Sequence, residues 1–125
     1  MNRHPLEGGV FKHGFDLTDF GSAKNFEGLL KRHNLLSGYK RYQLTTTPEG
    51  KPIYAYVWSN KDVTLVTSNN PLTGTYNTPG RRQKQRGYAS YVQVKADDKQ
   101  KGRALVKDIN RTAVYIKDQS EGEFW

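Results

Sequence analysis

The order of apolar segments along the chain predicts a single α+β domain, with a mixed, mainly antiparallel sheet of about five strands and two helices packed on it. A helical stripe comes first, and three β-rich segments joined by short turns follow it. A strand–helix–strand sequence comes after a long irregular segment. The 125 residues suffice for one domain, and eight Tyr, five Phe and two Trp side chains supply large apolar surfaces for its core.

The N-terminal part contains the first predicted helix. Residues 1–9 are polar and rich in Gly and Pro, so we expect a mobile arm, and residues 10–17 alternate loosely enough for a short strand. Ser22 is a good N-cap, which places the helix at residues 22–34. Its apolar stripe has the spacing of one helix face and consists of Phe26, Leu29, Leu30 and His33.

Three strands are predicted next, at residues 39–47, 53–58 and 63–67, because β-branched and aromatic residues dominate each segment. The connections between them are short and contain turn residues, which predicts an antiparallel meander. The second segment, IYAYVW, is apolar almost throughout. This pattern predicts a central strand that is buried on both faces.

The C-terminal part is predicted to continue with a strand, a helix and a further strand. The strands are residues 88–95 and 111–117, and the tail spans residues 118–125. Asp97 and Asp98 precede the helix, where acidic side chains favour its N-terminus. Within the helix, a glycine at position 102 indicates close packing on the sheet. A crossover of this length predicts that the two strands are parallel.

Composition excludes several classes of function. The formal charge is +8 and the pI about 9.7, which favours anionic partners. The absence of cysteine excludes disulfides, thiolate zinc sites and cysteine nucleophiles. No apolar run is long enough to span a membrane, and the N-terminus lacks the apolar core of a secretion signal. We therefore expect a cytoplasmic protein without a membrane partner.

The positive charge is concentrated around residues 69–87, which form a predicted long basic loop. No acidic residue occurs between Asp62 and Asp97. Arginine and lysine neutralise phosphates, tyrosines stack on unpaired bases, and Asn or Thr donates hydrogen bonds to phosphate or sugar oxygens. The predicted binding residues, from this loop and the following strand 88–95, are Arg81, Arg82, Lys84, Arg86, Tyr76, Tyr88, Tyr91, Asn70 and Thr73.

These residues predict a small basic protein that binds an anionic partner, with RNA or DNA as the favoured ligand. Two alternatives stay open. One is a non-catalytic regulator or inhibitor that binds a nucleotide-like ligand or a protein. The other is a small ribonuclease-type toxin that uses His13, close in sequence to Asp16, for acid–base catalysis. We expect no cofactor and no metal, because the chain has no phosphate-binding glycine motif and no histidine pair at ligand spacing.

Overall fold

The computed structural model describes residues 7–75, 86–89 and 91–120. Within these residues the chain forms one seven-stranded sheet, two α helices and a 3-10 turn at Leu36–Gly38. The α+β class and the two helices are therefore confirmed. The helices are α1 (Ala23–Arg32) and α2 (Lys99–Thr112), and the strands are β1 (Phe11–Asp19), β2 (Tyr39–Thr46), β3 (Pro52–Ser59), β4 (Val63–Thr67), β5 (Tyr88–Ala89), β6 (Val92–Ala96) and β7 (Tyr115–Ser120).

The sheet is antiparallel throughout its described pairings, which corrects the predicted mixed sheet. The strand order is β2-β3-β4-β6-β1, and β7 lies on the other edge of β1. Strands β6 and β7 run in the same direction, as predicted for the strand–helix–strand segment. However, β1 lies between them and pairs with both, so these two strands are not hydrogen-bonded neighbours.

The sheet has seven strands rather than about five, for two reasons. Residues 11–19 form a full strand in the middle of the sheet, although charged Lys12 and Asp16 interrupt its apolar pattern. The predicted strand 88–95 is divided into β5 and β6, which pair with β1 in one continuous register. The last strand also begins later than predicted, because α2 continues through Thr112.

Both helices pack on the same face of the sheet. Helix α1 begins after Ser22, whose side chain accepts a hydrogen bond from Asn25 N, and it buries Phe26, Leu29 and Leu30. Asp98 caps α2 in the same way, and this helix buries Leu105 and Ile109. These side chains meet alternate residues of the strands in the main core, where each buried large apolar side chain contributes about 1.5–3 kcal/mol. The strand residues in that core include Phe15, Tyr56, Trp58, Leu65, Val92 and Val94.

Strand β3 is buried on both faces, which confirms that part of the prediction. Tyr56 and Trp58 face the helices, whereas Ala55 and Val57 form a second cluster with Val66 on the opposite face. The strand is not central, however. It lies second from the edge of the sheet, next to the exposed edge strand β2.

Two glycines allow backbone segments to approach closely. A Cβ at Gly38 would lie 1.8 Å from the carbonyl oxygen of Ser59, so the 3-10 turn can rest directly on the end of β3. A Cβ at Gly102 would lie 2.6 Å from the Phe11 ring and 2.8 Å from Ala96 Cβ. The predicted close packing of α2 on the sheet at Gly102 is therefore confirmed.

Candidate functional site

The two ends of the predicted basic loop are joined by hydrogen bonds. Ser68 N donates to Tyr91 O at 3.1 Å, and Tyr91 N donates to Ser68 Oγ at 2.9 Å. One step further out, Gly87 N donates to Pro71 O at 3.0 Å, and Gly87 O accepts a hydrogen bond from Phe20 N. The chain thus leaves the sheet after β4 and returns to it at an adjacent point, so the loop has a fixed base.

The first part of the loop is an ordered turn around Asn70. The backbone amide of Asn70 donates to Thr75 O at 2.9 Å, and its carbonyl oxygen accepts from Gly74 N at 2.8 Å. The Asn70 side chain accepts from Leu72 N at 3.0 Å, and the residue is only 7% exposed. Asn70 therefore stabilises the backbone of this turn, and little of its surface is accessible to a ligand.

Four other predicted binding residues lie near this base. Arg86 and Thr73 are exposed, and the Thr73 hydroxyl shares a hydrogen bond with that of Thr75. Tyr91 is 41% exposed, whereas Tyr88 is partly buried where β5 pairs with β1. The structure therefore brings Arg86, Thr73 and Tyr91 to the surface around one end of the sheet. The remaining predicted residues lie outside the described part of the chain: Tyr76, Arg81, Arg82 and Lys84.

A second polar cluster, not predicted from the sequence, connects the two helices. The Asp108 side chain is 4% exposed and accepts hydrogen bonds from Arg32 Nε at 2.9 Å and from Arg111 Nη2 at 2.9 Å. His33 Nε2 lies 2.8 Å from the same carboxylate, and the Thr112 hydroxyl donates at 3.1 Å. Burial alone would raise the pKa of Asp108, but these donors outweigh it and hold the pKa well below its usual range.

Two adjoining clefts of about 230 and 290 Å³ open beside this cluster, and they share Arg32, His33 and Ala104 as lining residues. An imidazole held by a carboxylate is an arrangement that supports acid–base catalysis. In this cluster, however, the carboxylate also accepts hydrogen bonds from two arginines and a threonine. We therefore interpret Asp108 as the residue that ties α1 to α2.

Asp108 is buried in α2, and His13 lies in β1. The cations of α2 are balanced by nearby aspartates that include Asp108, a pattern typical of a solvated helix face, but the structure buries Asp108. The missed signal is its position, because Asp108 directly precedes the buried Ile109 and lies three residues after the buried Leu105. His13 lies in β1 opposite Val94, and its ring packs against Phe15 with centroids 4.8 Å apart.

Comparison of the chain with protein-family models, curated proteins and solved structures gives no match. Neither helix in the described ranges is long and apolar enough to cross a membrane. In that same part of the chain, no three His, Asp or Glu side chains are grouped so that they hold a metal ion. Function is therefore inferred from the loop base and its surroundings.

Proposed function

We propose that this chain is a non-catalytic nucleic-acid-binding protein of the cytoplasm, which contacts its ligand through residues 69–87 and the strand that follows. The observation that carries this proposal is the closed base of the loop, where Ser68 pairs with Tyr91 and Pro71 pairs with Gly87. A segment that is fixed at both ends loses less conformational entropy when it binds a ligand than a free tail does.

The charge of this region supports a polyanionic ligand. Residues 69–95 contain five Lys or Arg residues and no Asp or Glu. Such a patch raises the local concentration of phosphates and speeds their association. Arg86 and Tyr91 are both exposed beside the loop base, where they offer a cation for phosphate and an aromatic ring for a base.

Charge reversal in the loop tests the proposal directly. The loop variant replaces three arginines with glutamate, and they are Arg81, Arg82 and Arg86. We expect fluorescence anisotropy to show a large loss of affinity for a labelled single-stranded oligonucleotide, because attraction to phosphate becomes repulsion.

A matched control separates a specific surface from total charge. The control variant also replaces three exposed cations with glutamate, at the opposite end of the sheet, and they are Lys61, Lys99 and Arg103. It carries the same net charge as the loop variant, so it should retain most of the affinity. Equal losses in the two variants would contradict a binding surface at the loop.

The same assay distinguishes the two alternatives. A regulator of a protein or of a nucleotide-like ligand would show no oligonucleotide binding in either the wild type or the control variant, which would overturn the proposal. A ribonuclease would shorten the labelled RNA, and His13→Ala would prevent the cleavage. Intact RNA in the presence of tight binding is the result that the proposal predicts.

A further inference from the structure

A group of aromatic and cationic side chains lies on the helix side of the edge strand β2 and its neighbour β3. In the register of these strands, Tyr39 lies opposite Trp58 and Arg41 lies opposite Tyr56. The Tyr39 and Trp58 rings are 5.1 Å apart between centroids. The Arg41 Cζ atom lies 3.9 Å from the centre of the Tyr54 ring, which is a cation–π contact. These five residues are called the tyrosine platform below.

The platform has a buried layer and an exposed layer. Trp58 and Tyr56 are 1% and 3% exposed, whereas Tyr39 is 44% exposed and Arg41 is also exposed. The pKa of Tyr56 is raised first by burial and then by the neighbouring Tyr39 and Tyr54, while Arg41 acts in the opposite direction. The buried layer thus supports the Tyr39 ring and the Arg41 guanidinium group at the surface.

The platform extends along β2 and β3 from Tyr39 and Trp58 to Tyr54, and Tyr54 is the member nearest the end of the sheet from which the basic loop departs. Thr67, the last residue of β4, is opposite Tyr56, so the chain leaves β4 towards the end of the sheet where Tyr54 lies. Leu72, in the first turn of the loop, packs against the same core cluster as Tyr54. Arg41 on β2 is level with Thr67 on β4, two strand spacings or about 10 Å away. Tyr39 lies two residues, or about 7 Å, further along β2 from the loop. A bound chain of a few nucleotides therefore reaches from the platform to the loop base.

We propose that the ligand is single-stranded nucleic acid, with unpaired bases stacked on Tyr39 and on the guanidinium plane of Arg41. This inference rests on the proposed function, and it adds the class of nucleic acid. Aromatic rings and guanidinium planes both accept stacked bases. In a duplex the faces of the bases are already stacked on one another, so the platform favours a single strand.

The first test uses the wild-type protein and needs no variant. Its affinity is measured for a single-stranded oligonucleotide, for the duplex of the same sequence and for a strand of equal length and charge without bases. Stacking predicts that the intact single strand binds at least about 5-fold more tightly than the strand without bases. Equal affinity for all three ligands, together with a salt dependence that the loop variant loses, would contradict base stacking on the platform. The proposed function would then still hold.

Variants of the two exposed platform residues provide the second test. Arg41→Lys keeps the positive charge but removes the planar guanidinium group. Tyr39→Phe keeps the aromatic ring but removes the hydroxyl group. We expect Arg41→Lys and Tyr39→Ala to weaken binding of the intact strand by at least about 5-fold and to leave the strand without bases unaffected. Tyr39→Phe should bind as the wild type does.

The control for the aromatic variants is Tyr115→Ala, because Tyr115 is 51% exposed on β7 at the far edge of the sheet. It should bind as the wild type does. Unchanged binding in Tyr39→Ala and Arg41→Lys would overturn the platform. Failure of the wild type to bind any of the three ligands would instead overturn the proposed function itself.

Discussion

Replacing Asp108 with alanine measures how strongly the buried carboxylate ties the two helices together. The wild-type carboxylate is 4% exposed and accepts hydrogen bonds from Arg32, Arg111 and Thr112, with His33 Nε2 at 2.8 Å. Removing one partner of a buried ion pair costs about 3–5 kcal/mol. Arg32 and Arg111 are 47% and 76% exposed and regain water in the variant, so we expect about 2–3 kcal/mol.

Urea unfolding of the wild type and Asp108→Ala, followed by circular dichroism, measures this difference in the free energy of unfolding. Glu49→Ala is the control, because Glu49 is exposed in the turn between β2 and β3, and its loss should change stability by less than about 0.5 kcal/mol. If Asp108→Ala were as stable as this control, the cluster would not hold the helices together.

The lowered pKa of Asp108 also determines the direction in which its contribution to the free energy of unfolding changes with pH. The Asp108 carboxylate binds a proton less readily in the folded protein than in the unfolded chain. Its contribution to the free energy of unfolding is therefore complete above the pKa of an unfolded aspartate, about 4. The contribution is lost as the pH falls below that value towards the folded pKa. The difference in stability between wild type and Asp108→Ala should therefore narrow in acid, and a difference that grew in acid would contradict this sign.

Three further predictions concern the fold. Gly38→Ala should lower the free energy of unfolding by about 1–3 kcal/mol, because the new Cβ meets the carbonyl oxygen of Ser59 and backbone has to shift; urea unfolding checks this. Asp98→Ala removes the acceptor for two amides at the start of α2 and should cost about 1 kcal/mol in the same measurement. The raised pKa of Tyr56, caused mainly by burial, adds stability that is present below about pH 10 and lost above it. Unfolding between about pH 9 and 11 should therefore show a weaker pH dependence in Tyr56→Phe than in the wild type.

The α+β class and the helices could be predicted because local patterns determine them. Phe26, Leu29 and Leu30 have the spacing of a helix face, and Ser22 and Asp98 are good N-cap residues. The number of strands could not be predicted in the same way. Charged Lys12 and Asp16 lie within β1, and the pairing of 88–95 with β1 is divided although its register continues.

The candidate site could be predicted only in part, because residues far apart in sequence create it. The basic loop is visible in the sequence as a run of cations, whereas its closed base depends on contacts such as that of Pro71 with Gly87. Asp108 and Arg32 are 76 residues apart, and no local pattern indicates that they meet. Likewise, the cation–π contact of Arg41 with Tyr54 depends on the register of β2 and β3.

The salt dependence of single-stranded oligonucleotide binding tests the central claim most directly. If the loop cations Arg81, Arg82, Lys84 and Arg86 each contact a phosphate, log K should fall with log salt with a slope of about −3. Affinity should then decrease by about 50-fold between about 50 and 200 mM salt. Replacing Arg81, Arg82 and Arg86 with glutamate should reduce the magnitude of this slope to below about 1. A wild-type slope near zero, or a slope that survives this charge reversal, would contradict binding of nucleic acid through the loop.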